Sequence, residues 1–322
     1  MLIYSTIDPD VFSDAVFSDA MSRKNLETYF RGLFKNGLAF VDSNGRMLHE
    51  YSARLKRARG LSGSERVRKL FEEIVKLEMQ KRFHFVTLRE PAQKLGFSTV
   101  VAIGKEGKAD FILSTRNADL DEKSGDSSYT LISLCDYVSS AIEETRDKLT
   151  ESIQMDLKSP EEIASLLAPT FRFSRILRIF DPKIGDSNRP KPFFDGIKFI
   201  LESWVNSNYF SSKELDLCIY TKVRESDVHR RGEEFLREIE NFVVKFSKFS
   251  IKSAKIYFKL DPRGIFHSRW LETHSTLIHF ERGFDLFCDG GKFRRNFMRI
   301  DNRGTDHLKE VRALQNYTIK TR

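Results

Sequence analysis

Residues 261–287 read DPRGIFHSRWLETHSTLIHFERGFDLF. His267 and Arg269 stand two residues apart in an extended-looking run, a spacing that on a strand turns both polar side chains to one face. A second run, STLIHFERGF, follows and ends in Arg282-Gly283, where glycine permits a tight backbone turn beside the first pair.

Upstream, apolar runs alternate with helical patterns. A strand is expected over Phe173–Phe180, then a loop with Pro182, Gly185, Pro190 and Pro192, and a helix over Phe193–Asn206. A strand over Leu215–Val223, a helix over Arg230–Ser247 and a strand over Lys255–Leu260 come next. In MDLKSPEEIASLLAPT, Ser159 is a cap and Pro160 takes the first-turn position of a short helix. The domain boundary is placed there, giving 1–160 and 161–322.

The first part begins with a strand over Leu2–Thr6 and a helix from Asp10 to Asn36. A connection from Gly37 to Gly45 with an apolar stretch follows, then a helix from Met47. In LSGSERVRKLFEEIVKLEMQKR, Val67, Leu70, Phe71, Ile74 and Leu77 recur on one helical face. His84–Leu88 suits a strand, Pro91–Lys105 carries a helical pattern, and DFILST suits a buried strand. After the polar loop 121–129, TLISLCDYV is a further apolar run, and a charged helix is expected to about Leu157. Alternation of this kind predicts an α/β protein of two domains, each a mixed or parallel sheet flanked by helices.

Composition fits. The 322 residues are 40% hydrophobic and 31% charged, enough apolar material for packed cores. The 28 Phe against two Trp point chiefly to core filling, with base stacking the lesser use. No run approaches the roughly 20 apolar residues of a membrane span, and the N-terminus lacks a signal-peptide pattern. Cys135, Cys218 and Cys288 are odd in number and widely spaced, which fits a reducing compartment, so a cytoplasmic location is expected. The net charge is +8, and residues 292–322 carry nine Lys or Arg against three acids, +6 of that total. Such a tail is either a footprint for phosphate-bearing partners, nucleic acid or anionic lipid, or a solvated terminal helix.

The segment His267, Arg269 and Arg282-Gly283-Phe284-Asp285 resembles the phospholipase-D-like C-terminal domain that follows the microtubule-interacting module of eukaryotic trafficking proteins, and its relatives in bacterial conflict systems. RILRIFDPKIG, ending its strand in Asp181-Pro182, resembles that family's first strand; the resemblance covers about residues 165–290. A His and Arg pair can hold a phosphate through charge-assisted hydrogen bonds, so His267, Arg269 and Arg282 are either a phosphate-recognition site or residues that orient the strand ends by local hydrogen bonds. Phosphodiesterases of the wider superfamily use His-x-Lys-x4-Asp in two copies. Here Arg269 replaces the Lys, His274 stands where the Asp would be, and a second copy is absent. In-line displacement at phosphorus needs an attacking and a protonating group, so the departure favours binding over hydrolysis. A homodimer could complete a split site, and a protein partner is the remaining alternative.

Asp8 after the first strand, Glu50 in RMLHEYSARL, and Asn117 and Asp119 in FILSTRNADLD resemble the layout of PIN-like nucleases. That resemblance implies a nuclease with catalytic residues Asp8, Glu50, Asn117 and Asp119, of which Asp8, Glu50 and Asp119 hold Mg²⁺ or Mn²⁺; a degenerate, non-catalytic α/β domain is the alternative, and an antiviral defence or toxin-like role is what the bacterial relatives of the phospholipase-D-like domain imply. The acid of the PIN-like family's third catalytic helix has no clear counterpart, since Glu90 precedes Pro91; Asp136 is available but suits a helix cap. No P-loop, dinucleotide fingerprint, HExxH or GxSxG occurs.

Overall fold

The first apolar run forms β1 (Ile3–Ile7), buried along its whole length. After a short 3-10 turn at Pro9–Phe12 come α1 (Asp14–Ser18), α2 (Ala20–Asn36), β2 (Gly37–Asp42), α3 (Arg46–Ser62) and α4 (Glu65–Met79). They are followed by β3 (Phe83–Val86), α5 (Phe97–Gly107), β4 (Phe111–Ser114) and β5 (Leu131–Ser133). The computed structural model describes residues 3–62, 65–79, 82–89, 95–116, 130–144, 151–185, 191–246, 251–288, 290–300 and 306–319. The chain divides into two compact units at Thr150/Glu151, and each is α/β.

In the first unit the strands are parallel in the order β3-β2-β1-β4-β5. Helices cover both faces. Gly104 and Gly107 of α5 lie against Thr6, Ile112 and Phe40, while Tyr29 of α2 packs on Phe111 and bonds Ser5 from the other side. Burial on both faces removes polar alternation, which is why Gly37–Asp42 resembles a connection in the sequence and is a strand in the protein. The expected helix from Asp10 is broken twice: Asp8 caps the 3-10 turn, and Asp19 caps α2 by accepting from the Ser22 N–H at 2.6 Å. TLISLCDYV is a strand only over Leu131–Ser133. Leu134–Ser139 then turn away as a 3-10 helix, with the Leu134 and Cys135 carbonyls taken by Asn25 Nδ2. On α4, Leu70, Ile74 and Leu77 are buried as the periodicity predicts.

The second unit starts earlier than residue 161. Ile153–Gln154, expected inside a charged helix, form β6 and pair with Met298 and Phe297. Then come α6 (Pro160–Phe171), opened by a full capping box of Ser159 and Glu162, β7 (Ile176–Phe180), α7 (Lys191–Ser207) and β8 (Asp216–Val223). The helix expected over 230–247 is two, α8 (Glu225–Arg231) and α9 (Glu234–Lys245), parted at Gly232 with φ +76°. β9 (Ser253–Leu260), β10 (Trp270–Glu272), β11 (Leu277–Phe280), β12 (Phe297–Ile300) and α10 (Asp306–Ala313) complete it.

The seven strands run β6-β12-β11-β10-β7-β8-β9, parallel across β7, β8 and β9 and antiparallel elsewhere. One face, with Leu177, Ile179, Leu217, Ile219, Leu271 and Phe280, packs on α6, α7 and α9. Each such buried side chain contributes about 1.5–3 kcal/mol. The other face carries a cross-strand row, His279, Trp270, Phe180, Tyr220 and Tyr257, with Phe180 and Tyr257 stacked on either side of Tyr220 at 4.7 and 4.9 Å. Leu308 and Val311 of α10 cover part of it. Lys259 Nζ holds the Arg312 and Leu314 carbonyls, a cation at a helix C-terminus. Among the described residues no helix is long and apolar enough to cross a membrane.

Candidate functional site

Strand direction gathers the second unit's polar residues at one end of its sheet. β7 ends there in Asp181, β10 begins there after His267 and Arg269, β11 ends there before Glu281 and Arg282, and β12 begins there after Asn296. His267 and Arg269 precede β10 rather than lying within it. The buried Asp261 carboxylate accepts the Ile265 and Phe266 N–H groups at 3.0 and 2.9 Å and is paired with Lys222 at 3.4 Å, which shapes the chain that delivers His267. Burial works against the charged form of Asp261, but those bonds and Lys222 hold its carboxyl below the usual range.

Asp181 is fully buried at the centre. Its Oδ1 accepts the Lys183 N–H at 2.9 Å and its Oδ2 the Phe284 N–H at 3.0 Å. Gly283, at φ +86°, presses against Asp181 Oδ2. A Cβ there would collide with that oxygen and come within 3.1 Å of Arg269 Cδ. Asn296, also buried, accepts the Arg282 N–H at 2.9 Å and donates to the Gly283 carbonyl at 3.1 Å, and Gly196 of α7 closes against the Phe284 carbonyl. Burial pushes the Asp181 carboxyl up to about 6, against the pull of the two N–H groups and the charges of Arg269 and Lys183.

Arg269 is half-buried beside this carboxylate. One Nη donates to the Glu281 carbonyl at 3.2 Å, while its Nε is buried with no hydrogen-bond partner. His267, Arg282 and Lys183 are exposed at the same sheet end. A guanidinium with a spare inward donor, an imidazole and a second guanidinium can surround an anion through charge-assisted bonds. Lys183, Asp261 and Asn296 were not singled out by the sequence. Asp261 had a signal, the Asp-Pro pair that also follows β1 and β7; Asn296 had none.

The basic tail is partly spent internally. Arg312 pairs with Glu272 at 2.7 Å and Arg294 with Asp285 at 3.2 Å, and Lys292, Arg294, Arg295, Arg299 and Lys309 all reach the surface.

In the first unit Asp8 is buried at the carboxyl end of β1. It accepts Ser114 Oγ from the end of β4 at 2.7 Å and the Asp10 N–H at 3.1 Å. Glu50 is held by Arg54, which binds it at 2.7 Å and Asp10 at 2.9 Å. Asp42 caps α3 through the Met47 and Arg46 N–H groups. Asp136 is exposed in the 3-10 turn, and Asn117, Asp119 and Glu90 lie outside the described residues. Among the described residues no group of three or more His, Cys, Asp or Glu could hold a metal ion, so Asp8 and Glu50 alone do not make a site for Mg²⁺ or Mn²⁺. Comparison with models of known protein families and with curated proteins finds no match.

Proposed function

We propose that the second unit recognises phosphate groups, those of nucleic acid in the first instance, at the sheet end formed by His267, Arg269 and Arg282. The observation that carries this is the buried, unpartnered Nε of Arg269 in a basic rim. An unmet buried donor costs about 1–3 kcal/mol, a cost that a phosphate oxygen relieves once the half-buried Arg269 side chain turns its Nε outward to meet it. A cytoplasmic protein with a net charge of +8 meets such ligands at an electrostatically favoured rate. The test is fluorescence anisotropy of the full chain with labelled oligonucleotides, with anionic vesicles in parallel. Arg269→Ala should weaken oligonucleotide binding about 10- to 100-fold. Unchanged affinity would sink the proposal, and binding of vesicles alone would move the ligand to a lipid headgroup.

One observation favours a second reading, a metal-dependent nuclease in the first unit. In the order β3-β2-β1-β4-β5 the strand sequence reverses between β1 and β4, where α/β sheets bind ligands, and Asp8 and Ser114 meet there. Mg²⁺ or Mn²⁺ held there would activate a water for phosphodiester attack, with Asp8 supplying one carboxylate and, if the PIN-like resemblance holds, Asp119 a second. Metal-dependent cleavage abolished by Asp8→Ala supports this activity, and no cleavage of RNA or DNA by wild type with either metal rejects it for those substrates.

A further inference from the structure

Tyr209 is 62% exposed, at the end of the second sheet opposite to Asp181. Its loop is nonetheless rigidly built. The Tyr209 N–H donates to the Arg172 carbonyl at 2.7 Å, Asn208 Nδ2 donates to the Phe171 and Ser174 carbonyls at 2.8 Å each, and the Phe210 N–H returns to Asn208 Oδ1 at 2.9 Å. Beneath it, Trp204 Nε1 shares the Ser174 carbonyl at 2.9 Å. An exposed aromatic ring on a fixed loop loses little entropy on binding a partner.

The surroundings of the ring indicate what it binds. Phe173 lies 5.5 Å from it at 44° and Phe210 5.6 Å at 84°, so neither neighbour stacks flat on Tyr209. Arg175 lies over Phe210 at 4.2 Å and Arg172 over Phe173 at 6.0 Å, two cations fixed on the inner rings. Glu214, the acid beside them, is paired with Arg175 at 3.8 Å. An exposed aromatic ring, with arginines lying over the two rings next to it, suits a group that is planar and aromatic and carries a negative charge a bond or two away. An unpaired nucleotide has both features; a lipid headgroup lacks the first, and a base inside a duplex hides its face.

We infer that the Tyr209 loop is a stacking site for an unpaired base of single-stranded nucleic acid, with Arg172 and Arg175 beside the adjoining phosphates. This rests on the nucleic-acid proposal above and narrows its ligand from phosphate in general to single strands. The two sites stand at the two ends of β7, about 20 Å apart at roughly 3.3 Å per residue, so a strand of several nucleotides is needed to reach both.

The experiment is anisotropy of the full chain with labelled oligothymidylate and oligouridylate, and with a duplex of equal length, for wild type, Tyr209→Ala, Tyr209→Trp and Arg269→Ala. Tyr209 is exposed, so its variants keep the fold. Tyr209→Ala should lose about 5- to 100-fold in single-strand affinity, with duplex affinity unchanged, and Tyr209→Trp should retain binding with its emission quenched by the base. If Tyr209→Ala binds single strands as wild type does while Arg269→Ala fails, the stacking site is overturned and the phosphate site stands. If wild type binds no oligonucleotide, both fall.

Discussion

The two units end their central strands in the same way. β1 runs into Asp8-Pro9 and β7 into Asp181-Pro182. Each aspartate is buried and accepts the N–H two residues on, from Asp10 at 3.1 Å and Lys183 at 2.9 Å. Proline holds the preceding residue extended, and the carboxylate then satisfies the turn that follows. What differs is the second oxygen. Asp8 meets a hydroxyl, Ser114, from a neighbouring parallel strand. Asp181 meets the Phe284 N–H of an antiparallel return, under a glycine at positive φ and beside Arg269. The shared device is therefore a way of ending a strand, and the chemistry of each sheet end is set by what the topology brings across to it.

The largest effect should come from Gly283→Ala. The added methyl meets Asp181 Oδ2, and a non-glycine residue there is strained, so the second unit should lose about 3 kcal/mol or more. Hydrogen exchange at the β7 amides reports it; a loss under about 1 kcal/mol would mean that the return segment is not held by Asp181. Among the described residues of the first unit, no glycine sits against Asp8 in this way.

Next in size is Asp181→Ala against Asp8→Ala. The first leaves two backbone N–H groups unmet and the Arg269 charge uncompensated, about 2–4 kcal/mol; the second leaves one N–H and a hydroxyl, about 1–2 kcal/mol. Denaturation of the two variants, with exchange read separately on β1 and β7, checks the order, and a reversed order breaks the comparison.

The two sheet ends were unequally legible. The Asp181-Pro182 pair, the His267 and Arg269 spacing and the glycine after Arg282 are local features that point to this sheet end, although His267 and Arg269 precede β10 instead of alternating along it. β2 was hidden because burial on both faces erases alternation, and the break at Gly232 because apolar spacing continues across it. Asn296 clamping Gly283, and Arg54 drawing Glu50 toward Asp10, depend on partners that no spacing in the sequence announces.

Acidity gives a further test at Asp181. Burial raises Asp181 from an ordinary value of 3.8 to about 6 in the folded protein. A raised folded value means that this group's contribution is full below about 3.8 and is lost as pH rises through about 6. The stability gap between wild type and Asp181→Ala should therefore be wider at pH 4 than at pH 7, by on the order of 2–3 kcal/mol. Denaturation of both proteins across that range measures it. A gap that widens toward pH 7 would show that Arg269 and the N–H groups outweigh burial.

The smallest effect is expected from Ser114→Ala. Ser114 is buried, and its Oγ donates to Asp8 at 2.7 Å and accepts the Arg116 N–H at 3.2 Å. Removing it takes one donor from a carboxylate that keeps the Asp10 N–H, and leaves one backbone N–H that borders solvent. The cost should be about 1 kcal/mol, because β1 and β4 are held mainly by their ladder and by helices on both faces. Exchange at the β4 amides then stays close to wild type. If instead the variant loses protection throughout β1 and β4, the hydroxyl is as necessary to this sheet end as Gly283 is to the other, and the two aspartates are held by devices of equal strength despite their different partners.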